Sequence, residues 1–239
     1  MTTGRTGVIL AAGFGSRLRE ANPTAVKPLT IVAGRPLLVG AVANLRAAGC
    51  DAVVVVLGDH ADDIEAAYRD VSPDDDIIFA RNPRFALSNG LSVLAAEPHV
   101  HGEFALTMAD HVYGEEVLAL AKSHVAPEGG AILFVDRNID GVFDLDDATK
   151  VRTRDGDRID AIGKALETYD AIDTGLFLCT PKLFEALKLQ EERTGDASLS
   201  EGIAVLTELG TMRVVDIEGG RWQDVDTPEM LAEARKRFG

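Results

Sequence analysis

Aromatic side chains are scarce in this chain: they make up 5% of its 239 residues, and there is one tryptophan. A cage of stacked rings, the usual holder of a quaternary ammonium group, is therefore hard to build. Positive charge is scarce as well. Lysine and arginine number 24 against 39 aspartates and glutamates, a net charge of −15 with an isoelectric point near 4.7. That balance argues against binding nucleic acid or docking on an acidic membrane surface. Cysteine is limited to Cys50 and Cys179, far apart and without CxxC spacing, which fits reduced core thiols better than a disulfide or a metal site. The opening MTTGRTG holds no apolar leader, and no apolar run approaches the length of a membrane span. These absences lead to the expectation of a soluble, cytoplasmic protein with no membrane insertion. No internal repeat, low-complexity segment or linker interrupts the chain, so residues 1–239 are expected to form one domain.

What the chain does have is concentrated between Gly7 and Leu38. Val8-Ile9-Leu10 is a short apolar run of the buried, parallel-strand kind. It enters Ala11-Ala12-Gly13-Phe14-Gly15-Ser16-Arg17, a loop of small residues whose two glycines permit backbone conformations closed to other residues. Such a loop at the carboxyl end of a first strand aims several N–H groups at phosphate oxygens. Arg17 adds a planar cationic fork and Lys27 a second positive charge, with Pro28 biasing Lys27 toward extended backbone. Two cations and a glycine-rich turn on one short segment suggest a triphosphate site. Neither common phosphate signature is present. Leu18 stands where GxGxxG has its third glycine, Gly34-Arg35 stand where a dinucleotide site wants an acid, and no GxxxxGK[ST] occurs.

Further apolar runs at 52–57, 77–80, 104–108 and 130–136 alternate with helical patterns. The alternation predicts a Rossmann-like, doubly wound, mostly parallel α/β sheet. Between 137 and 175 the texture turns polar, and alternation about Asp155-Gly156 predicts a small antiparallel insertion. Parallel α/β sheets bind ligands at the carboxyl ends of their strands. The expected nucleotide pocket therefore draws on Leu10, Ala11, Ala12, Gly13, Gly15 and Ser16 of the first loop. Gly58, Asn82, Ser88 and Asn89 join it from neighbouring strand ends, where position in the fold favours a nucleotide contact for Ser88 and Asn89 over the alternative of a helix N-cap. Asp110, just past a buried strand, is placed to hold Mg²⁺ against a triphosphate or else to cap the next helix. Asp226, in Asp224-Val225-Asp226-Thr227-Pro228, is the expected second metal ligand, or with Thr227 a cap of the closing helix. His111 would orient the Asp110 carboxylate, and Trp222 would wall a second-substrate pocket or sit in the core.

LAAGxGxR at 10–17, Lys27-Pro28 and GxPLL at 34–38 together resemble the nucleotidyltransferases that couple a nucleoside triphosphate to a phosphorylated sugar or alcohol. Four more stretches, at 108–113, 147–151, 162–164 and 172–175, are similar to inositol-1-phosphate cytidylyltransferases, and the likeness spans nearly the whole chain. It implies CTP as donor and a phosphorylated polyol as acceptor, with Lys164 on the acceptor phosphate and Arg137, Lys150 and Asp173 shaping the polyol pocket. The expected reaction is an in-line displacement releasing pyrophosphate, with Arg17, Lys27 and Asp110 as catalytic groups and Mg²⁺ as cofactor. Another sugar-1-phosphate nucleotidyltransferase, using UTP, GTP or dTTP, would share these residues. A phosphocholine cytidylyltransferase is disfavoured by the shortage of aromatics. A glycosyltransferase using Asp224-Val225-Asp226 should lack the glycine loop, and a non-catalytic nucleotide-binding module would release no pyrophosphate. In the resembled family the domain is often fused to a membrane-embedded phosphotransferase; no sufficiently apolar stretch follows here, so either a separate soluble enzyme or a different acceptor is expected.

Overall fold

The computed structural model describes residues 4–21 and 25–239; residues 1–3, part of the segment read above for a leader, lie outside them. The chain opens with β1 (Arg5–Ala11), α1 (Ser16–Ala21), a 3₁₀ turn at Lys27–Leu29, and the short pair β2 (Ile31–Val32) and β3 (Arg35–Pro36). Next come α2 (Leu37–Ala47), β4 (Cys50–Leu57), α3 (Ala61–Val71), β5 (Ile78–Arg81) and α4 (Gly90–Ala96). β6 (Phe104–Met108), β7 (His111–Tyr113), α5 (Glu115–Ser123) and β8 (Ala131–Asp136) follow. The remainder holds β9 (Lys150–Arg154), β10 (Arg158–Gly163), β11 (Ala171–Cys179), α6 (Lys182–Thr194) and α7 (Leu199–Glu208). It closes with β12 (Met212–Asp216), β13 (Trp222–Asp224) and α8 (Pro228–Phe238).

Among the described residues, nine strands form one sheet in the order β5-β4-β1-β6-β11-β8-β12-β10-β9. β5, β4, β1 and β6 run parallel, with Val8 opposite both Val54 and Leu106. β11 enters antiparallel between β6 and β8, and β12 then pairs parallel with β8. Seven of the nine strands thus share one direction, in keeping with the mostly parallel sheet expected, while β11 is reversed at the middle and β10 toward one edge. The hairpin about Asp155-Gly156 is present as β9–β10, and both turn residues have positive φ. It is less separate than an insertion: β10 pairs with β12 and β9 with β11. The reason is apolar burial, since Val151 and Ile159 join the core that contains Val8 and Leu106.

Helices cover both faces. Val8, Leu10 and Val54 pack toward Leu91 of α4, Leu183 of α6 and Ile203 of α7. Their alternates Ile9, Ala11 and Val53 pack toward Leu38 of α2, Ile64 of α3 and Val117 of α5. A strand buried on both faces needs the unbroken apolar run that β1 shows. No helix among the described residues is long and apolar enough to cross a membrane. The loops after β1, β4 and β6 emerge along one edge of the sheet, and the site lies there.

Candidate active site

Past β1 the chain turns through Ala12, Gly13, Phe14 and Gly15 before α1 begins. Gly15 has φ +58°, and a Cβ built on it would lie 2.9 Å from the Cβ of Lys27. Glycine there meets two needs at once: left-handed backbone and close approach to the lysine. Gly13 corrects the expectation for the pair. Its φ is not positive and an added Cβ would meet nothing within 4 Å, so it leaves space rather than permitting a turn. Phe14 packs edge-on against Phe85 with ring centroids 5.4 Å apart, which pins the loop from outside. Lys27 is a second correction. The extended backbone ends at Val26, and Lys27 opens the 3₁₀ turn, its carbonyl accepting the Thr30 N–H at 3.1 Å. The turn's hydrogen bonds outweigh the local bias from Pro28.

Beside this loop lies a cavity of about 170 Å³, lined by Leu10, Ala11, Ala12, Gly13, Gly15 and Lys27 and closed opposite by Asn89, Ser92, Met108 and Asp110. A second cavity of about 290 Å³ shares Asn89, Met108 and Asp110 with it. Its other walls carry His111, Asp144, Asp147, Lys164, Asp173, Trp222, Asp224 and Asp226.

Charge links the two. The Lys27 ammonium donates to both Asp110 and Asp226. Arg17 donates to Asp226 at 2.7 Å and to Asp147 at 2.6 Å, and Lys164 donates to Asp147 at 2.7 Å. Asp110, Lys27, Asp226, Arg17, Asp147 and Lys164 therefore form one continuous run of alternating sign. His111 Nδ1 lies 2.5 Å from the other oxygen of Asp110. Burial opposes ionisation of Asp110, but Lys27 and His111 more than offset it and hold the carboxyl well below its usual range. Burial likewise opposes the charges of Lys27 and His111, and the neighbouring carboxylates, Asp110 foremost, raise both. Asp173 is the reverse case. Burial pushes its carboxyl up to about 6, although the Gly175 N–H donates to it at 2.7 Å. Gly175 has φ +75°, and its lack of a Cβ makes room for the His111 ring, so the Asp173-Thr174-Gly175 stretch shapes both residues.

The capping alternatives resolve. Thr227, not Asp226, caps α8, accepting the Met230 N–H at 3.2 Å. Gly114, not Asp110, stands at the N-cap of α5. Both carboxylates are thereby free of capping and meet at Lys27, with Arg17 also on Asp226 and His111 also beside Asp110. Neither Ser88 nor Asn89 caps α4 through its side chain. Asn89 accepts the Leu199 N–H at 2.9 Å, and Ser88 gives its N–H and hydroxyl to Asp196, which removes that N–H from a nucleotide's reach.

Several expected residues stand behind the walls. Gly58 fits where Phe85 and the Ala12 carbonyl converge, the latter 2.6 Å from an added Cβ, so it supports the glycine loop. Asn82 is buried and donates to Ser92 Oγ at 3.0 Å, orienting a wall residue that the sequence reading missed. Ser16 begins α1 and lines neither cavity. Arg137 binds Asp170 at 2.5 Å and the Gly156 carbonyl at 2.9 Å, bracing the β9–β10 hairpin outside the second cavity. Lys150 is buried and donates to the Asp146 carbonyl at 3.0 Å, clamping the loop that carries Asp147. Asp147 was also missed as a functional residue. Its signal was the run of acids Asp144, Asp146 and Asp147 after the sheet's polar turn. Trp222 fills both expected parts, lining the second cavity while its indole N–H donates to Asp136 at 2.8 Å.

Asp110 and Asp226 offer hard oxygen donors to one cationic point, a pair that would suit a hard divalent cation. No group of three or more His, Cys, Asp or Glu among the described residues could hold a metal by itself.

Residues 7–198 match the MobA-like NTP transferase domain. The chain is 38% identical over 237 residues, 96% of its length, to the Bifunctional IPC transferase and DIPP synthase of Rubrobacter xylanophilus. It is 36% identical over 230 residues, again 96% of its length, to the protein of that name from Thermococcus kodakarensis. It spans 52% and 49% of these relatives, about half the length of each. The solved structure of the inositol-1-phosphate CTP transferase from T. maritima matches with a TM-score of 0.82 at 26% identity, covering 98% of both chains.

Proposed function

The chain belongs to the MobA-like NTP transferase family, and on that premise we propose that it transfers a cytidylyl group from CTP to inositol-1-phosphate, giving CDP-inositol and pyrophosphate. The observation that carries this reading is the run of alternating charges from Asp110 to Lys164, which joins two adjoining cavities of unlike character. The small-residue cavity beside the glycine loop takes the nucleotide. The charged cavity takes the phosphorylated polyol. The names of the two relatives and of the T. maritima enzyme support this pair of substrates.

The acceptor phosphate is itself the nucleophile, so no protein nucleophile takes part. One of its oxygens forms a bond to the α-phosphorus as the bond from that phosphorus to the β-phosphate bridging oxygen breaks, and pyrophosphate leaves with the electron pair. The protein aligns the two phosphates and neutralises their charge. Lys27 and the Nη2 of Arg17 exchange their carboxylate partners for donor phosphate oxygens, and Lys164 with the Nη1 of Arg17 receives the acceptor phosphate. His111 holds Asp110 through Nδ1. Asp110 and Asp226 would hold Mg²⁺, which when bound neutralises charge on the α-phosphate and the leaving group. Residues 1–239 are read as one nucleotidyltransferase domain working in the cytoplasm, a setting that suits two buried free thiols.

The test is a matrix of four triphosphates against inositol-1-phosphate, phosphocholine and several sugar-1-phosphates, read by pyrophosphate release. CTP with inositol-1-phosphate should give the highest turnover. Preference for another triphosphate overturns the donor, and preference for another phosphorylated compound overturns the acceptor.

A further inference from the structure

Asp147 lies on the loop between β8 and β9, where its backbone N–H closes a turn to the Asp144 carbonyl at 3.2 Å and Asp144 has positive φ. Its carboxylate faces two cations that arrive from unrelated parts of the chain. One oxygen accepts from Arg17, at the start of α1, and the other from Lys164, just after β10. Among the described residues, the hydrogen bonds of this carboxylate go to those two side chains, so it neither caps a helix nor ties down a strand. Burial alone would raise its pKa, but Arg17 and Lys164 more than offset that and keep it below the usual carboxylate range. A planar anion with one oxygen on each of two cations has the form in which two oxygens of a phosphate are bound.

We propose that Asp147 is a specificity-determining residue that occupies the phosphate position between Arg17 and Lys164 until the acceptor's own phosphate displaces it. The inference rests on reading the second cavity as the acceptor site. Its consequence is selection. An anion that lacks the acceptor's further contacts in the cavity must compete with a tethered carboxylate for both cations, whereas a phosphorylated polyol gains those contacts as it enters. The exchange is feasible because the three side chains are partly exposed, at 45% for Arg17, 32% for Asp147 and 57% for Lys164, and ion pairs at such exposure are individually weak.

Inorganic phosphate is the probe, titrated calorimetrically into the intact chain. Asp147→Asn should bind it about three- to tenfold more tightly than the native protein, the size expected when two partly exposed ion pairs no longer compete. Asp147→Ala should shift in the same direction, which guards against an effect peculiar to the amide. Asp147→Glu, keeping the charge, should return the constant to the native value. Asp146→Asn removes the same charge from the neighbouring exposed position and should leave binding unchanged. Unchanged or weaker phosphate binding in both Asp147→Asn and Asp147→Ala overturns the proposal, as does equal tightening in Asp146→Asn. The readout involves neither CTP nor inositol. Tightening without turnover in the substrate matrix would therefore sink the proposed reaction and leave the role of Asp147 standing; turnover without tightening would do the opposite.

Discussion

The cavity beside the glycine loop and the cavity beyond Asp110 share three wall residues but are held in shape differently. The first is made from backbone and small side chains at the end of β1, and its form depends on where Cβ atoms are missing. The second is made from long charged side chains, and its form depends on opposite charges meeting across more than a hundred residues of sequence. The first should therefore be sensitive to added bulk and indifferent to charge, and the second the reverse. Lys27 belongs to both, because it lines the first cavity and anchors the charges of the second.

Lys27→Ala should consequently have the largest effect. Removing one charge contact of this kind lowers turnover by about 10² to 10³. It also leaves Asp110 and Asp226 facing each other without their shared cation, so the melting temperature should fall together with kcat. Asp110→Ala should lose turnover on the same scale. Near-normal pyrophosphate release from purified Lys27→Ala would break the link between the cavities.

Asp173→Asn comes next, and its effect is on stability. Native Asp173 keeps its proton up to about pH 6, whereas in the unfolded chain it ionises near 4. Between those values the native state binds more protons than the unfolded one, so stability declines as pH rises through that interval and stays lower above it. The neutral amide removes the cost. Thermal melts should show Asp173→Asn matching the native protein below pH 4 and exceeding it above pH 6, by on the order of 2 kcal/mol. A gain that is the same at all pH values would mean that burial of this carboxyl is not the cause.

The glycines of the first cavity give a smaller and more local contrast. Gly15→Ala must hold a side chain at φ +58° and push on Lys27, which costs about 1–2 kcal/mol and should lower kcat/KM through the displaced ammonium. Gly13→Ala meets open space and should leave the melting temperature unchanged while raising KM for the triphosphate. If both variants melt alike, steric control of the loop by Gly15 is wrong.

The same contrast explains what was legible beforehand. β1, its glycine loop and Lys27 are local features, and a run of small residues after an apolar strand states its geometry in its own sequence. Asp110 and Asp226 each read in the sequence as a metal ligand or a helix cap, because an aspartate near a helix start suits both; the hydrogen bond of Thr227 and the placement of Gly114 remove the cap reading. The reversal of β11 was not legible, since its apolar run resembles those of the parallel strands around it. Asp147 was legible only as one of a run of acids, since its two partners lie 130 and 17 residues away and leave no periodic trace.

Arg137 shows the limit of carrying a role over by resemblance, and it supplies the smallest predicted effect. Its guanidinium lies against Asp170, Thr153 and the Gly156 carbonyl, and it is absent from the walls of the charged cavity. Arg137→Ala should therefore loosen the β9–β10 hairpin by about 0.5–1 kcal/mol. KM for the phosphorylated acceptor should stay within about twofold, because the hairpin's buried Val151 and Ile159 still fix its place on the sheet. A tenfold rise in that KM with an unchanged melting temperature would put Arg137 on the substrate and extend the charged cavity to the hairpin.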